Sequence, residues 1–312
     1  MHPSTAASSP VTSSEVTAPN SAVSATTSPH RVEYGGPAGG ARIVLVHGLG
    51  GSHVNWNRVG PLLARDNRPV ALDLAGFGRT PGAGRQASVG ANVALVTRFL
   101  REETDGDAVL VGNSMGGMIS LMVAASAPDL VRGLVLVNPA LPQAKGASVD
   151  PKVLLQFLAY GIPGTGELAL SARLALVPAE RRVAETLGLG CADPGRVSAE
   201  HVAEEVAMAR SRVKTPGNVS AHLAATRSVM TTMLKTGAYW RAAEAVRCPV
   251  LLVHGDRDRL VPFASARAAA KRFPDWSFHP LPDVGHIPHI EAPEELFAAI
   301  EDWMEIKLPK PE

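Results

Sequence analysis

The stretch Val109-Leu110-Val111-Gly112-Asn113-Ser114-Met115-Gly116-Gly117 constrains this chain most. An apolar, β-forming run feeds into Gly-x-Ser-x-Gly, and a helical run from Met115 to about Ala127 follows without a spacer, stopping before Pro128. That order is the context in which a serine sits at the apex of a strained strand-to-helix turn with its hydroxyl lifted clear of a sheet. Glycines on either side of the serine let strand and helix approach closely. The pentapeptide alone is weak evidence in a chain with 29 glycines, so its meaning depends on what surrounds it.

Upstream, Arg31 to Tyr34, Ala41 to Val46 and Pro69 to Leu72 read as strands, and Asn55 to Arg65 as a helix with Trp56, Val59, Leu62 and Leu63 on one face. A helix from Ser88, a plausible N-cap, to Glu103 repeats the pattern. Downstream, Leu134 to Val137, Pro249 to Val253 and Trp276 to Leu281 are strands, with helices at Phe263 to Arg272 and Pro293 to Ile306. Strands apolar on both faces, alternating with helices, predict an α/β fold with a mostly parallel sheet covered on both sides. Between about 142 and 240 no strand is legible. Helical runs separated by Pro and Gly predict an inserted, all-helical segment of subdomain size. The expected organisation is a Ser/Thr/Ala/Pro-rich disordered tail over 1–30, core over 31–141, helical cap over 142–240, and core again over 241–312.

Composition narrows the function classes. With 30 basic and 29 acidic residues the formal net charge is +1, so there is no electrostatic footprint for nucleic acid. Aromatic residues make up 4%, too few for an aromatic cage. Two cysteines, Cys191 and Cys248, make no disulfide framework. No apolar run reaches the roughly 18 residues of a membrane span, and the tail lacks a signal peptide's basic and apolar regions, so a cytoplasmic location is expected. No His/Cys/Asp/Glu cluster has metal-ligand spacing and no dinucleotide fingerprint is present, so no cofactor is expected.

Functional residues of an open α/β sheet gather at the carboxyl ends of the strands. Those ends carry His47-Gly48-Leu49, Asp73, Ser114, Asp256-Arg257-Asp258 and Gly285-His286. A serine hydroxyl needs an imidazole to take its proton, and the imidazole needs a carboxylate on its other nitrogen. The oxyanion of a tetrahedral intermediate needs two fixed N–H donors. Those of Leu49 and Met115 are the candidates. Gly285 allows a tight turn that aims His286 at the serine, favouring it over His279 and His289. His47 reads as a shaper of the loop after the first His-Gly. His53 and Asn55 read as loop residues that could line a pocket, and Asp73 as a hydrogen-bonded turn residue.

With His47-Gly48, Gly112-Asn113-Ser114-Met115-Gly116-Gly117, Gly255-Asp256-Arg257-Asp258-Arg259-Leu260-Val261-Pro262 and Gly285-His286 in that order, the chain resembles the α/β-hydrolase fold family over about 31–307. The likeness is to the branch with a helical cap after its sixth strand. It implies an eight-stranded-type sheet, Ser114 as nucleophile, His286 as base and Asp258, rather than Asp256, as acid. Relatives with an aspartate nucleophile are dehalogenases and epoxide hydrolases, and Ser114 argues against both. Met115 departs from the prolyl aminopeptidases, which usually place Trp there. Leu49 departs from the cofactor-free perhydrolases.

Two hydrolytic readings remain by analogy. One is a carboxylic-ester hydrolase of the esterase, lipase or lactonase class, taking a small apolar ester. The other is a carbon–carbon bond hydrolase of vinylogous diketones. That group is similar at Gly-Asn-Ser-Met-Gly-Gly but differs where this chain has Leu49-Gly50-Gly51-Ser52 and Ile287. Some members of the fold only bind ligands, but such proteins often lose a triad residue and this chain keeps all three. The aliphatic insertion, with Met208, Met230 and Met233, leads one to expect an apolar acyl or alkyl pocket.

Overall fold

A computed structural model of the 312-residue chain describes residues 28–82, 84–104 and 106–308. Most of the tail expected over 1–30 therefore lies outside the described residues. Seven strands form one sheet: β1 (Arg31–Glu33), β2 (Arg42–Val46), β3 (Arg68–Leu72), β4 (Ala108–Asn113), β5 (Val131–Val137), β6 (Val250–Gly255) and β7 (Ser277–Leu281). Their order is β1-β3-β2-β4-β5-β6-β7, with only β1 antiparallel. The eight-stranded type of sheet that the resemblance implies has seven strands among the described residues, and β1 is a short edge strand on β3.

Period-two alternation sends side chains to two separate cores. Val44, Val46, Leu110, Leu134 and Leu136 face one core. Ile43, Leu45, Val109, Val111, Val135 and Val137 face the other. On the described chain the helices are α1 (Gly60–Leu63), α2 (Val89–Glu103), α3 (Met115–Ser126), α4 (Pro151–Gly161), α5 (Thr165–Leu176), α6 (Ala179–Gly190), α7 (Ala199–Val213), α8 (Asn218–Leu234), α9 (Thr236–Glu244), α10 (Phe263–Arg272), α11 (Pro288–Glu291) and α12 (Pro293–Lys307). α3 lies against β4 and β5 with α2 and α9 packed on it, and its apolar residues are buried all round. α12 covers the opposite face with Leu296, Ile300, Trp303 and Met304.

The single helix expected over 55–65 is instead a 3₁₀ turn, His53–Trp56, followed by α1. Ser52 and Asn55 form a reciprocal cap that starts the turn early, and Pro61, which lacks an N–H, suits only a first turn. Six helices, α4 to α9, fill the interval between β5 and β6, where no strand occurs among the described residues. No single described helix is long and apolar enough to cross a membrane. Cys191 and Cys248 are both free.

The order of strands reverses at β2 and β4: β3 lies beyond the first and β5 beyond the second. The crevice outside the carboxyl ends of these two strands is where an open sheet of this kind binds ligands. The loops after Val46 and Asn113 border it.

Candidate active site

Ser114 caps α3 with φ 54° and ψ −117°. A non-glycine residue held there stores about 1–3 kcal/mol, so the surroundings must enforce it. Its N–H donates to the Val137 carbonyl at 3.1 Å, and its own carbonyl accepts from Met118 and Ala140 at 3.1 and 2.9 Å. Gly116 is required next to it, because a Cβ there would stand 2.1 Å from the Val46 carbonyl oxygen.

Asn113, the residue before the serine, is buried. Its amide donates to the carbonyls of Val137 at 3.1 Å and His286 at 3.0 Å. The turn that carries Ser114 is thereby tied to the loop that carries His286. That loop is held from a second side: the His286 N–H donates to the Gly190 carbonyl at 2.6 Å. Glu291, buried in α11, accepts from the Gly285 N–H at 2.7 Å and the Asp193 N–H at 2.8 Å.

His286 Nδ1 lies 2.7 Å from Asp258 Oδ2, which leaves Nε2 as the nitrogen free to meet a hydroxyl. The same Oδ2 accepts from Asn138 Nδ2 at 2.8 Å, and His254 Nε2 stands 3.2 Å from it while also donating to the Val261 carbonyl at 2.9 Å. Oδ1 accepts the N–H groups of Leu260 and Val261 at 2.8 and 2.9 Å. Burial would raise the pKa of this carboxyl, but His286 and His254 beside it hold it well below the usual carboxylate range. Asp256, the rival acid, is exposed and accepts from the Asp283 N–H at 2.8 Å instead.

The loop after β2 lies directly against the serine. A Cβ on Gly48 would stand 3.2 Å from Ser114 Cβ. His47 fixes this loop. Its Nε2 accepts the Leu74 N–H at 3.0 Å, so its Nδ1 carries the proton and donates to the Gly48 carbonyl at 2.7 Å. Burial lowers its pKa to about 4, which keeps it neutral. Leu49 packs against the core. The N–H of Met115 belongs to the first turn of α3, where no intrahelical carbonyl can accept it.

Asp73 is a fully buried hub rather than a free acid. It accepts the backbone N–H groups of His53 and Arg79 at 2.7 and 2.8 Å, and the Nδ1 atoms of His53 and His30 each lie 2.9 Å from it. These three side chains are the described residues whose donor atoms come close enough to hold a metal ion, although nothing in their sequence spacing suggested it. His279 is exposed on β7. His289 is buried and packs on the Trp56 ring, with centroids 4.6 Å apart.

A cavity of about 280 Å³ opens beside Gly48 and Asn113 and runs under the helical insertion. Leu170, Leu174, Leu187 and Met208 line it, as expected of an apolar pocket, but so do Arg173, Arg182, Arg212 and Glu205. Of the two doubtful loop residues, Asn55 reaches the cavity. It donates to Glu205 Oε1 at 2.6 Å.

A family model for the α/β-hydrolase fold matches residues 41–293. The chain belongs to the α/β-hydrolase fold family. A pimeloyl-[acyl-carrier protein] methyl ester esterase of Aromatoleum aromaticum is 31% identical over 265 residues, covering 83% of this chain and 96% of that one. A 2-hydroxy-6-oxo-6-(2'-aminophenyl)hexa-2,4-dienoic acid hydrolase of Metapseudomonas resinovorans is 28% identical over 264 residues, covering 82% and 81%. The crystal structure of Cfl2 from Burkholderia cenocepacia matches the fold with a TM-score of 0.72 at 24% identity, covering 88% of this chain and 91% of that one. This α/β-hydrolase is therefore a hydrolytic enzyme whose relatives act on more than one bond type.

Sequence reasoning placed Ser114, Asp258 and His286 at one sheet edge. It missed Asn138, His254, Glu291 and Arg212. Asn138 carried one available signal. It directly follows β5, as Ser114 follows β4, and like Ser114 it has a positive φ, 43°, which asparagine tolerates better than most residues with a side chain.

Proposed function

We propose that the protein is a serine hydrolase that cleaves carboxylic esters through an acyl-enzyme on Ser114. The observation that carries this reading is the 2.7 Å contact between His286 Nδ1 and Asp258 Oδ2, on a loop that the neighbour of Ser114 holds by its backbone. Ser114 Oγ attacks the ester carbonyl as His286 Nε2 takes its proton. The N–H groups of Leu49 and Met115 receive the oxyanion. The intermediate collapses, and the alcohol leaves with the proton from His286. Water then repeats the sequence on the acyl-enzyme and releases the acid. Asp258 fixes the ring tautomer and stabilises the imidazolium. The insertion over 142–240 serves as a cap that excludes bulk water and shapes the pocket.

The test is labelling by a serine-directed phosphonate together with turnover of p-nitrophenyl esters of graded length, run beside a vinylogous ring-fission diketone. Labelling of the wild type but not of Ser114→Ala, with ester turnover exceeding diketone turnover, is the expected result. Preference for the diketone would move the assignment to carbon–carbon bond hydrolysis. Absence of labelling in folded protein would mean the site only binds.

A further inference from the structure

The cavity under α4 to α8 holds more positive charge than the reaction uses. Arg173 pairs outward with Glu185 at 2.6 Å. Arg182 and Arg212 have no such partner: among the described residues neither forms an ion pair with a carboxylate. Arg212 Nη1 donates to the Gly50 carbonyl at 2.7 Å, and its guanidinium stacks 5.0 Å from the Phe77 ring centre. Arg182 makes one long contact, Nη2 to the Ala209 carbonyl at 3.5 Å, and its Nε is enclosed with no partner.

Ala209 and Arg212 lie three residues apart on α7, so they share a helix face. The contact to Ala209 therefore brings Arg182, on α6, toward Arg212. The neighbouring carboxylates are occupied. Glu205 accepts from Asn55 and lies 3.5 Å from His201 Nε2, Glu180 pairs with Arg210, and Glu185 is shared by Arg173 and Arg181.

Both side chains are partly exposed, but the enclosed Nε of Arg182 is a buried donor without a partner, which is costly. Each guanidinium carries five N–H donors in a planar fork that matches a carboxylate. Both guanidinia border the cavity: Arg212 gives Nη1 to the Gly50 carbonyl and Nη2 to the Gly76 carbonyl at 3.5 Å, and the remaining walls mix Leu170, Leu174 and Met208 with polar groups that include Asn55 and Glu205. Burial lowers the pKa of both, Arg212 to about 10; the charges of Asp73 and Glu205 partly offset this at Arg212 and that of Glu180 at Arg182, while a neighbouring arginine lowers each further. Both remain charged at neutral pH.

We propose that Arg182 and Arg212 form an anion subsite, and that the substrate is an ester carrying a second, carboxylate-bearing end that this pair receives while the scissile carbonyl lies at Ser114. This rests on the ester-hydrolase reading for the bond cleaved, but not for the binding. Leu170, Leu174 and Met208 contact the aliphatic part between the two ends, so the pocket selects a half-ester of a dicarboxylic acid over a simple fatty ester.

The test separates binding from chemistry. Calorimetric titration of the wild-type enzyme compares glutarate with its neutral isostere glutaramide. Glutarate is expected to bind about tenfold tighter or better, as two charge-assisted contacts allow. That preference is expected to vanish in Arg182→Gln and to return in part in Arg182→Lys. In parallel, p-nitrophenyl esters of matched length ending in a carboxylate or a methyl ester are compared by kcat/KM, with the ratio favouring the carboxylate in the wild type and collapsing in Arg182→Gln. Equal binding of glutarate and glutaramide, or a preference that survives in Arg182→Gln, overturns the subsite even if neutral esters are hydrolysed. Tighter binding of inorganic phosphate than of glutarate overturns the carboxylate assignment. Arginine-dependent glutarate binding without turnover of either ester would leave the subsite standing and remove the ester-hydrolase reading instead.

Discussion

The side-chain amide of Asn113 donates to the main-chain carbonyl of His286 at 3.0 Å, across 173 residues of sequence. The residue before the serine therefore sets the position of the imidazole loop. In Asn113→Ala the His286 carbonyl loses this donor, whereas the Val137 carbonyl keeps the N–H of Ser114. One buried acceptor left unpaired costs about 1–3 kcal/mol. Urea unfolding should show that loss. Ester turnover should fall mainly in kcat, since the pocket walls are untouched. A change confined to KM would show that the amide does not position the imidazole.

Asp258→Asn places an amide among groups that all donate, namely Asn138 Nδ2, the N–H groups of Leu260 and Val261, and the His286 ring. It also favours the wrong imidazole tautomer, which in serine hydrolases lowers kcat by about 10⁴. Asp256→Asn touches the Asp283 turn and an exposed 3.8 Å pair with Arg257 and should leave kcat within about twofold, a surface-level change. Steady-state kinetics on a single p-nitrophenyl ester distinguishes the two. The reverse pattern would move the acid to Asp256.

The positive φ of Ser114 means that stability is given up at the turn. Ser114→Gly removes a strain of about 1–3 kcal/mol at an entropic cost of about 0.5–1 kcal/mol. The variant should lose turnover and yet melt higher than the wild type. Ser114→Ala should lose turnover without that gain, because alanine has the same Cβ. Calorimetric melting of the pair tests this, and a Gly variant no more stable than the Ala variant would show that the turn is not strained.

Two neutral histidines, the buried His47 and the partly buried His222, give the enzyme an acid-sensitive stability. Burial lowers His47 and His222 from 6.5 to about 4 each. Between those values the unfolded chain binds protons that the folded one refuses, so stability is fully present above the unfolded pKa and is lost as pH falls through the window. Asp73, lowered from 3.8 to about 2, adds a loss only at still lower pH. Each histidine contributes a slope of up to about 1.4 kcal/mol per pH unit. Urea unfolding between pH 4.5 and 6 should show His222→Gln flatter than the wild type by about that amount. An unchanged slope would place the proton uptake elsewhere.

Legibility in the sequence followed the distance between partners. The turn at Ser114 is local: strand, glycines and helix are contiguous, so spacing alone reveals it. Asp258 lies three residues after Gly255, which ends β6, and His286 directly follows Gly285 in the loop after β7, which is again local information. Asn138, whose partner Asp258 is 120 residues away, and Glu291, whose partner Asp193 is 98 away, carry no such mark. Arg212 carries no mark in the sequence either, because only the folded chain brings the Gly50 carbonyl to it. The break between the 3₁₀ turn at His53–Trp56 and α1 was hidden for a different reason. The apolar spacing of Trp56, Val59, Leu62 and Leu63 is helical, but the Ser52 cap decides where the first turn begins.

The hydrogen bond from the His286 N–H to the Gly190 carbonyl joins the imidazole loop to the last residue of α6, and Glu291 doubles that joint through Asp193. An exchange of the helical insertion between relatives would treat it as a separable module. Here the seam between modules runs through the backbone of the histidine itself. A transplanted lid would arrive with its own version of the carbonyl at position 190 and the amide at position 193. A chimera aimed only at substrate range would therefore also reset the geometry of His286, the proposed base.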